Sequence, residues 1–159
     1  MTTWPPQYDD TYLPPNDQEY WFPELETETP SARIKRVLEK VRGQMAWAYE
    51  RSSFYKRIWD AAGVAPAHIL TLDDFHRVPI ITKDDLREDL IANPPFGSNI
   101  CDDWSDIERI HGSSGTTGIP TVLTISRGDW QRIGNAHARV MWAAGIRPTD
   151  MVFMASPFS

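Results

Sequence analysis

The chain has 159 residues, of which 41% are hydrophobic and 24% charged, a balance typical of a globular protein that can bury one sizeable core. Its formal net charge of −6 leaves no basic surface of the kind that nucleic acid binding requires, and no apolar run approaches the length of a membrane span. The first residues lack the regions of a secretory signal and Cys101 is the single cysteine, so we expect a cytoplasmic protein without disulfides.

Residues 1–30 form an acidic, proline-rich and aromatic-rich arm. They contain seven acidic residues and no Lys or Arg, so they carry −7 and leave the rest of the chain at +1. The prolines disfavour a long helix, while six aromatic residues are more than a disordered tail usually has. We expect an extended arm whose aromatic side chains pack on the body of the protein or on a partner subunit. A mobile tail is the alternative.

Residues 31–100 are predicted to form a helical subdomain. Apolar residues recur every three or four positions from residue 34 to residue 48, which predicts a helix that begins after Pro30 with Ser31 as its N-cap. A second helix is expected from about Ser53 to Ala62, and Gly63 is a suitable residue to end it.

Two shorter segments complete this subdomain. A short turn of helix is expected at residues 72–76. Thr82 is predicted to cap a further helix, with Asp85 three residues later as the second member of a capping box. The proline-rich stretch at 93–97 then breaks the chain, and we place the subdomain boundary near residue 100.

Residues 101–159 are predicted to begin an α/β domain. Strands are expected at 107–110 and 121–125, and a helix at 130–144. The continuous apolar run at 151–155 is typical of a parallel strand, so we expect a right-handed strand–helix–strand crossover. Such a strand needs neighbours that these residues do not supply, which predicts the N-terminal part of a longer protein or a chain that needs a partner. The predicted fold class is therefore α/β: a helical N-terminal segment followed by the start of a nucleotide-binding domain with a mixed or parallel sheet, incomplete in this chain.

A segment rich in glycine and hydroxyl side chains joins the first two predicted strands. Residues 111–119 contain four hydroxyl side chains and three glycines. Glycine allows the backbone to approach a ligand closely, and successive N–H groups can form an anion-binding nest. The segment is not a Walker A loop, because no Lys and no helix follow its last glycine. An ordinary turn explains the composition equally well, but the order of the residues favours phosphate binding.

That order, Ser-Ser-Gly-Thr-Thr-Gly-x-Pro-Thr at residues 113–121, resembles the phosphate loop of the adenylate-forming enzymes. Its Pro-Thr ending resembles the phenylacetate–CoA ligase branch. Four upstream blocks are also similar to that branch and occur in the same order, at residues 48–57, 61–64, 72–75 and 78–87. Members of the family are several hundred residues long, so the resemblance implies the N-terminal part of such an enzyme.

The resemblance implies an ATP-dependent carboxylic acid–CoA ligase, with an aromatic acid similar to phenylacetate as substrate and with ATP, Mg²⁺ and coenzyme A. The acid would attack the α-phosphate of ATP, and the thiol of coenzyme A would then attack the acyl-adenylate. The implied residues for the β- and γ-phosphates are Ser113, Ser114, Gly115, Thr116, Thr117 and Gly118. His111 and Phe158 are weaker substrate-binding candidates, since a hydrogen-bonded histidine at a strand end and a core aromatic are ordinary roles for such residues.

The sequence departs from many relatives at the loop itself. The positions that often hold lysine, after the last glycine and after the proline, are Ile119 and Thr121 here. The phosphate charge would therefore be met by backbone dipoles, Mg²⁺ and side chains elsewhere. The catalytic lysine of the family lies later in its chains, so no residue here is assigned as catalytic and the chain alone is expected to be inactive.

Other functions remain open. One is an adenylating enzyme that passes its acyl group to a protein or reductase, and another is a non-catalytic interaction module derived from the family. The histidines show no ligand spacing with one another or with Cys101, so no metal site is predicted. The expected partners are the acid, ATP and coenzyme A, without nucleic acid or membrane, together with a second copy of the chain or the remainder of the same enzyme.

Overall fold

The computed structural model describes residues 4–112, 121–153 and 155. In this part of the chain the α-helices are α1 (Pro23–Glu26), α2 (Pro30–Arg51), α3 (Ser53–Ala61), α4 (Lys83–Ala92) and α5 (Arg127–Ala143). The strands are β1 (Ile107–Gly112) and β2 (Val122–Ser126), and short 3₁₀ turns lie at Pro66–His68, Asp73–Arg77 and Trp104–Asp106. No helix of the described residues combines the length and apolarity needed to cross a lipid bilayer.

Helix α2 begins two residues earlier than its predicted N-cap, Ser31, implies. Its N-cap is Thr29, whose hydroxyl accepts a hydrogen bond from the Ala32 N–H at 3.3 Å. The prediction of Ser31 as the cap was wrong because Pro30 itself occupies the first helical position. There its fixed φ suits the helix, and its missing N–H leaves no bond unmade.

Helices α2 and α3 pack against each other and hold the main core. Ser52 separates them and caps α3, its hydroxyl accepting a hydrogen bond from the Tyr55 N–H. Helix α3 then ends as predicted, with Gly63 at a φ of 66° that favours glycine. The buried side chains of the core are Met45, Ala48, Trp59, Val64 and Ile69.

Helix α4 begins at the predicted capping box. The Thr82 hydroxyl accepts from the Asp85 N–H, and the Asp85 carboxylate accepts from the Thr82 N–H at 2.7 Å. Near the other end of α4, the buried Asp89 carboxylate accepts from the hydroxyl and the N–H of Ser98 and from the Asn93 side chain. The loop that leads away from the helical subdomain is therefore fastened back onto α4.

Strands β1 and β2 form an antiparallel pair and α5 follows β2 directly. Ile107 pairs with Ser126 and Gly112 with Val122, with an extra residue at Glu108 that makes a β-bulge. Ser126 is also the N-cap of α5, whose last residue is Ala143. Gly145 follows with a φ of 87°, at the end expected for the helix predicted over 130–144.

The predicted strand at 151–155 is wrong for the residues that the structure describes. Residues 151–153 and 155 have no strand conformation, and the side chains of Met151 and Phe153 are 99% and 90% exposed. A strand forms only where a neighbouring strand takes up its backbone hydrogen bonds, and neither β1 nor β2 lies beside this segment. The predicted crossover is therefore absent from the described residues, and their sheet is antiparallel. The α/β fold class, with a helical N-terminal segment and an incomplete sheet, is confirmed.

The described part of the arm packs on two helices of the body. The Trp4 ring lies against α2, where a Cβ placed on Gly43 would come within 2.7 Å of it. The Trp21 ring packs edge-on against Trp142 of α5, with 5.5 Å between ring centroids, and the Trp142 indole N–H donates to the Gln18 carbonyl at 3.0 Å. The arm also contains the short helix α1, so it is not extended throughout.

Candidate functional site

The hairpin of β1 and β2 holds the two ends of the predicted phosphate loop side by side. Gly112 pairs with Val122, and paired Cα atoms in an antiparallel ladder lie roughly 4.5–5.5 Å apart. The loop therefore leaves and re-enters the sheet at one point. The predicted phosphate-binding residues themselves, and the predicted substrate contact Phe158, lie outside the described residues. The phosphate-binding residues are Ser113, Ser114, Gly115, Thr116, Thr117 and Gly118.

His111 is the predicted site residue that the structure does describe. It lies on β1 directly before Gly112, opposite Leu123 of β2, and it is exposed. Its side chain is therefore not buried at the strand end. The contact of His111 with a substrate and its alternative role as a hydrogen-bonded histidine both stay predictions.

Arg109 shares a face of β1 with His111 because alternate residues of a strand point to the same side. Its guanidinium carbon lies 3.9 Å from the ring centroid of Trp130, which is on the first turns of α5. This cation–π contact links β1 to the helix that follows β2. The sequence does not predict this contact, because the proximity of Arg109 to Trp130 depends on the register of the hairpin and not on their spacing along the chain.

The arginines of α5 and the arginine in the segment that follows it are engaged with carboxylates or carbonyl groups. Arg147 donates to the carbonyls of Asn16 and Trp142 at 3.2 and 2.9 Å. The ion pairs, by nitrogen–oxygen distance, are Arg127 with Glu108 at 2.8 Å, Arg132 with Asp129 at 2.7 Å and Arg139 with Glu26 at 3.7 Å. Arg147 also lies over an aromatic ring, that of Trp142 at 3.9 Å, but its N–H groups donate to carbonyl groups as well. The contact that the structure gives the Arg109 guanidinium is the Trp130 ring, without a carboxylate of the described residues beside it.

A cleft of about 550 Å³ separates the helical subdomain from the hairpin. Its walls come from the arm, α2, α3, the segment around residue 101, β2 and α5, and they are mainly apolar. Its aromatic lining residues are Trp4, Trp47, Tyr55, Trp59 and Phe75. Because these residues are distant from one another in the sequence, no local sequence pattern predicts the cleft.

Cys101 lies half-buried in this cleft. Burial raises the pKa of its thiol to about 11, and the neighbouring carboxylate of Asp102 acts in the same direction. The thiol therefore stays protonated near neutral pH, which makes it a poor nucleophile.

The described residues contain no group of three or more His, Cys, Asp or Glu side chains that could hold a metal ion.

The comparisons with curated proteins point to one group of enzymes. The chain is 38% identical over 134 residues to the phenylacetate-coenzyme A ligase of Thermus thermophilus, a match that covers 84% of this chain and 29% of that protein. It is 38% identical over 117 residues to the phenylacetate-coenzyme A ligase of Escherichia coli, which covers 74% of this chain and 26% of that protein. The chain thus spans less than a third of the length of these relatives. No family model matches the chain.

The comparison with solved structures gives a related result. A crystal structure of 2-hydroxyisobutyryl-CoA ligase in complex with 2-HIB-AMP and CoA, in the thioesterification state, matches with a TM-score of 0.88 and 48% identity. That match covers 93% of this chain and 31% of the other chain. An open conformation of the same ligase matches with a TM-score of 0.87 and 45% identity. This chain is therefore similar to that ligase in both sequence and fold over 93% of its length.

Proposed function

We propose, on the premise that this chain belongs as an N-terminal part to the phenylacetate–CoA ligase-like branch of the adenylate-forming enzymes, that it supplies the phosphate-binding hairpin of an ATP-dependent carboxylic acid–CoA ligase. The observation that carries the proposal is the fold match with a TM-score of 0.88 to a CoA ligase at 48% identity. The hairpin adds physical support, because it brackets the one segment of the chain whose composition suits phosphate.

In this proposal the loop binds ATP through the main chain and hydroxyl groups of residues 113–118. In-line attack on a phosphate depends mostly on positioning and on neutralising charge, which N–H groups and hydroxyls provide. Mg²⁺ accompanies the nucleotide, since this ion usually binds through substrate phosphates and one or two carboxylates. His111, exposed one residue before the strand ends, contacts the acyl-adenylate, whose acyl group then passes to the thiol of coenzyme A.

The acid is proposed to be aromatic because the curated relatives named above are phenylacetate ligases. A second candidate is a short branched 2-hydroxy acid. It is favoured by the higher identity, 48%, to the ligase crystallised with 2-HIB-AMP. Phe158, the candidate for the acyl pocket, would suit an aromatic acid better, and only a comparison of substrates separates the two.

The activity belongs in this proposal to a complete enzyme and not to the 159 residues alone. The chain spans 29% of its Thermus relative, and the proposed catalytic lysine and adenine contacts belong to the remainder. We further propose a cytoplasmic location and a dimer of the complete enzyme.

The test uses the complete polypeptide that carries this sequence. We expect acid-dependent exchange of labelled pyrophosphate into ATP, with phenylacetate and 2-hydroxyisobutyrate compared at equal concentrations. Thr116→Ala combined with Thr117→Ala should weaken ATP binding by at least tenfold, while Ser105→Ala, an exposed control, should leave it unchanged.

The possible outcomes separate the alternatives. Exchange followed by formation of an acyl-CoA thioester supports the ligase. Exchange without consumption of coenzyme A supports transfer to a protein or reductase. Absence of exchange with every acid of a broad panel, together with unchanged ATP binding in the double variant, contradicts the proposal and favours an interaction module.

A further inference from the structure

The proposed phosphate loop has no lysine of its own. The positions after its last glycine and after its proline are Ile119 and Thr121. A bound triphosphate carries several negative charges, and binding sites for such groups normally supply cationic side chains as well as N–H groups. A loop of this composition therefore calls for a cation from a neighbouring element.

We propose that Arg109 is that cation, a phosphate-binding residue that contacts the β- and γ-phosphates of ATP beside the loop. The inference rests on the proposed function and extends it by naming a residue that the loop motif does not contain. The juxtaposition that supports it is a strand-borne guanidinium, stacked on Trp130, on the strand that leads into the loop.

The position of Arg109 suits this role. It lies three residues before Gly112, which is about 10 Å at the rise of a β-strand. It points to the same side of β1 as His111, which is two residues closer to the loop. A long side chain on that face can reach toward the end of the hairpin, where the loop begins.

The contact with Trp130 leaves the hydrogen-bond donors of Arg109 available. Stacking occupies the flat face of a guanidinium, whereas its five N–H groups point outward in the plane. Those edge groups match the oxygens of a phosphate and can bind them in pairs. The indole thus holds the cation in place without using the donors that a phosphate needs.

Charge pairing singles out Arg109 among its neighbours. The arginines at positions 127, 132 and 139 each face a carboxylate within 4 Å, which offsets part of their charge. The contact that the structure gives the Arg109 guanidinium is an aromatic ring, and the residue is exposed. Its full charge therefore remains for an anionic ligand.

The competing role is a structural clasp between β1 and α5. If Arg109 had only that structural role, its loss would lower the stability of the fold and would change the affinities for all nucleotides equally. A phosphate-binding residue would discriminate between nucleotides with and without β- and γ-phosphates. ATP and AMP are therefore the two probes that separate these roles.

The experiment measures the Kd of Mg·ATP and of AMP for the complete polypeptide by calorimetry. We expect Arg109→Gln to weaken ATP binding about 10- to 100-fold, as loss of a charged hydrogen bond does, and to change AMP binding less than twofold. Arg109→Lys keeps the charge but loses the planar fork, so its Kd for ATP should fall between those of the unaltered polypeptide and of Arg109→Gln. The matched control Arg127→Gln removes an exposed arginine at the start of α5, directly after β2, and should leave the Kd values of ATP and AMP unchanged.

Several results would overturn this inference. Equal losses of affinity for ATP and AMP in both Arg109 variants would show that Arg109 has the structural role. Unchanged ATP affinity would show that Arg109 has no role in phosphate binding. If Arg109→Gln does not fold, Arg109→Lys decides by the same ratio of ATP to AMP. Failure of the proposed function is recognised separately, because the unaltered polypeptide would then show no acid-dependent pyrophosphate exchange.

Discussion

The helical half of the molecule (residues 30–92) and the hairpin half (residues 107–155) bury their apolar side chains to very different extents. In the helical half, six apolar side chains are buried, Phe54 and Ile69 to 1% and 0% exposure, although others such as Leu70 and Ile80 are 65% and 90% exposed. Among the described residues of the hairpin half, the large apolar side chains with more than a third of their surface exposed are Ile110, Leu123, Trp130, Val140, Met141, Met151, Val152 and Phe153. Its one deeply buried aromatic, Trp142, is covered in part by the arm.

The difference concerns how each half buries its apolar side chains. The helical half closes its core with contacts between neighbouring helices, which short connections bring together. The hairpin half presents apolar surface of the kind that sheets normally bury against further strands and helices.

The largest expected effect comes from matched phenylalanine truncations in the two halves. Phe54→Ala removes a buried ring and should lower the free energy of unfolding by about 3–5 kcal/mol. Phe153→Ala removes a ring that is 90% exposed and should change it by less than about 0.5 kcal/mol. Urea unfolding followed by circular dichroism measures both. Similar losses in the two variants would mean that the hairpin half has a core of its own in solution.

A second prediction concerns Asp89, which fastens the helical half to the loop that leads to the hairpin. Burial would raise the pKa of this carboxyl, but hydrogen bonds from Ser98 and the nearby Arg57 outweigh it and lower the pKa from the ordinary 3.8. A lowered pKa in the folded state means that its stabilisation is present above pH 3.8 and is lost as the pH falls below it.

Asp89→Asn should therefore reduce stability near neutral pH by about 1.5–3 kcal/mol and flatten the loss of stability in acid. Urea midpoints measured from pH 7 to pH 2 test this, with the exposed Asp103→Asn as control. An acid transition as steep in the Asp89 variant as in the parent would show that another group causes it.

The smallest expected effect comes from two helical glycines, one in each half. Gly134→Ala in α5 meets open space and should stabilise by up to about 1 kcal/mol, the difference in helix propensity between the two residues. Gly43→Ala in α2 offers the same gain, but its Cβ would lie 2.7 Å from the Trp4 ring and should displace the arm.

Limited proteolysis of the arm distinguishes these two substitutions. Cleavage within residues 4–22 should become faster in Gly43→Ala and stay at the parent rate in Gly134→Ala. Equal rates in all three proteins would indicate that Trp4 does not rest on α2 in solution.

The sequence was a good guide wherever a structure depends on adjacent residues. The capping box of Thr82 and Asp85 and the helix ends at Gly63 and Gly145 follow from local hydrogen bonds and backbone freedom, and all were predicted. The cap of α2 was misplaced by two positions because Pro30 suits the first helical position as well as the boundary before it.

Features that depend on distant partners were not predictable in the same way. The run at 151–155 has the composition of a strand, but composition does not provide the neighbouring strand that its backbone requires. The contact of Arg109 with Trp130 depends on the register of the hairpin, and the cleft forms only where segments that are distant in sequence meet. The loop motif at 113–118 was identified from residue order alone and stays a prediction.

The extra residue at Glu108 has a consequence for how the strand tolerates change in length. Ile107 pairs with Ser126 and Arg109 with the adjacent Ile125, so Glu108 is the one residue of this stretch without a partner on β2. Loss of that residue would leave a regular ladder in which Arg109 and His111 keep their partners and their side of the ribbon, and it would remove the ion pair of Glu108 with Arg127. A deletion at Glu108 should therefore be tolerated better than a deletion between Arg109 and Gly112, which would shift the register and turn side chains to the other face.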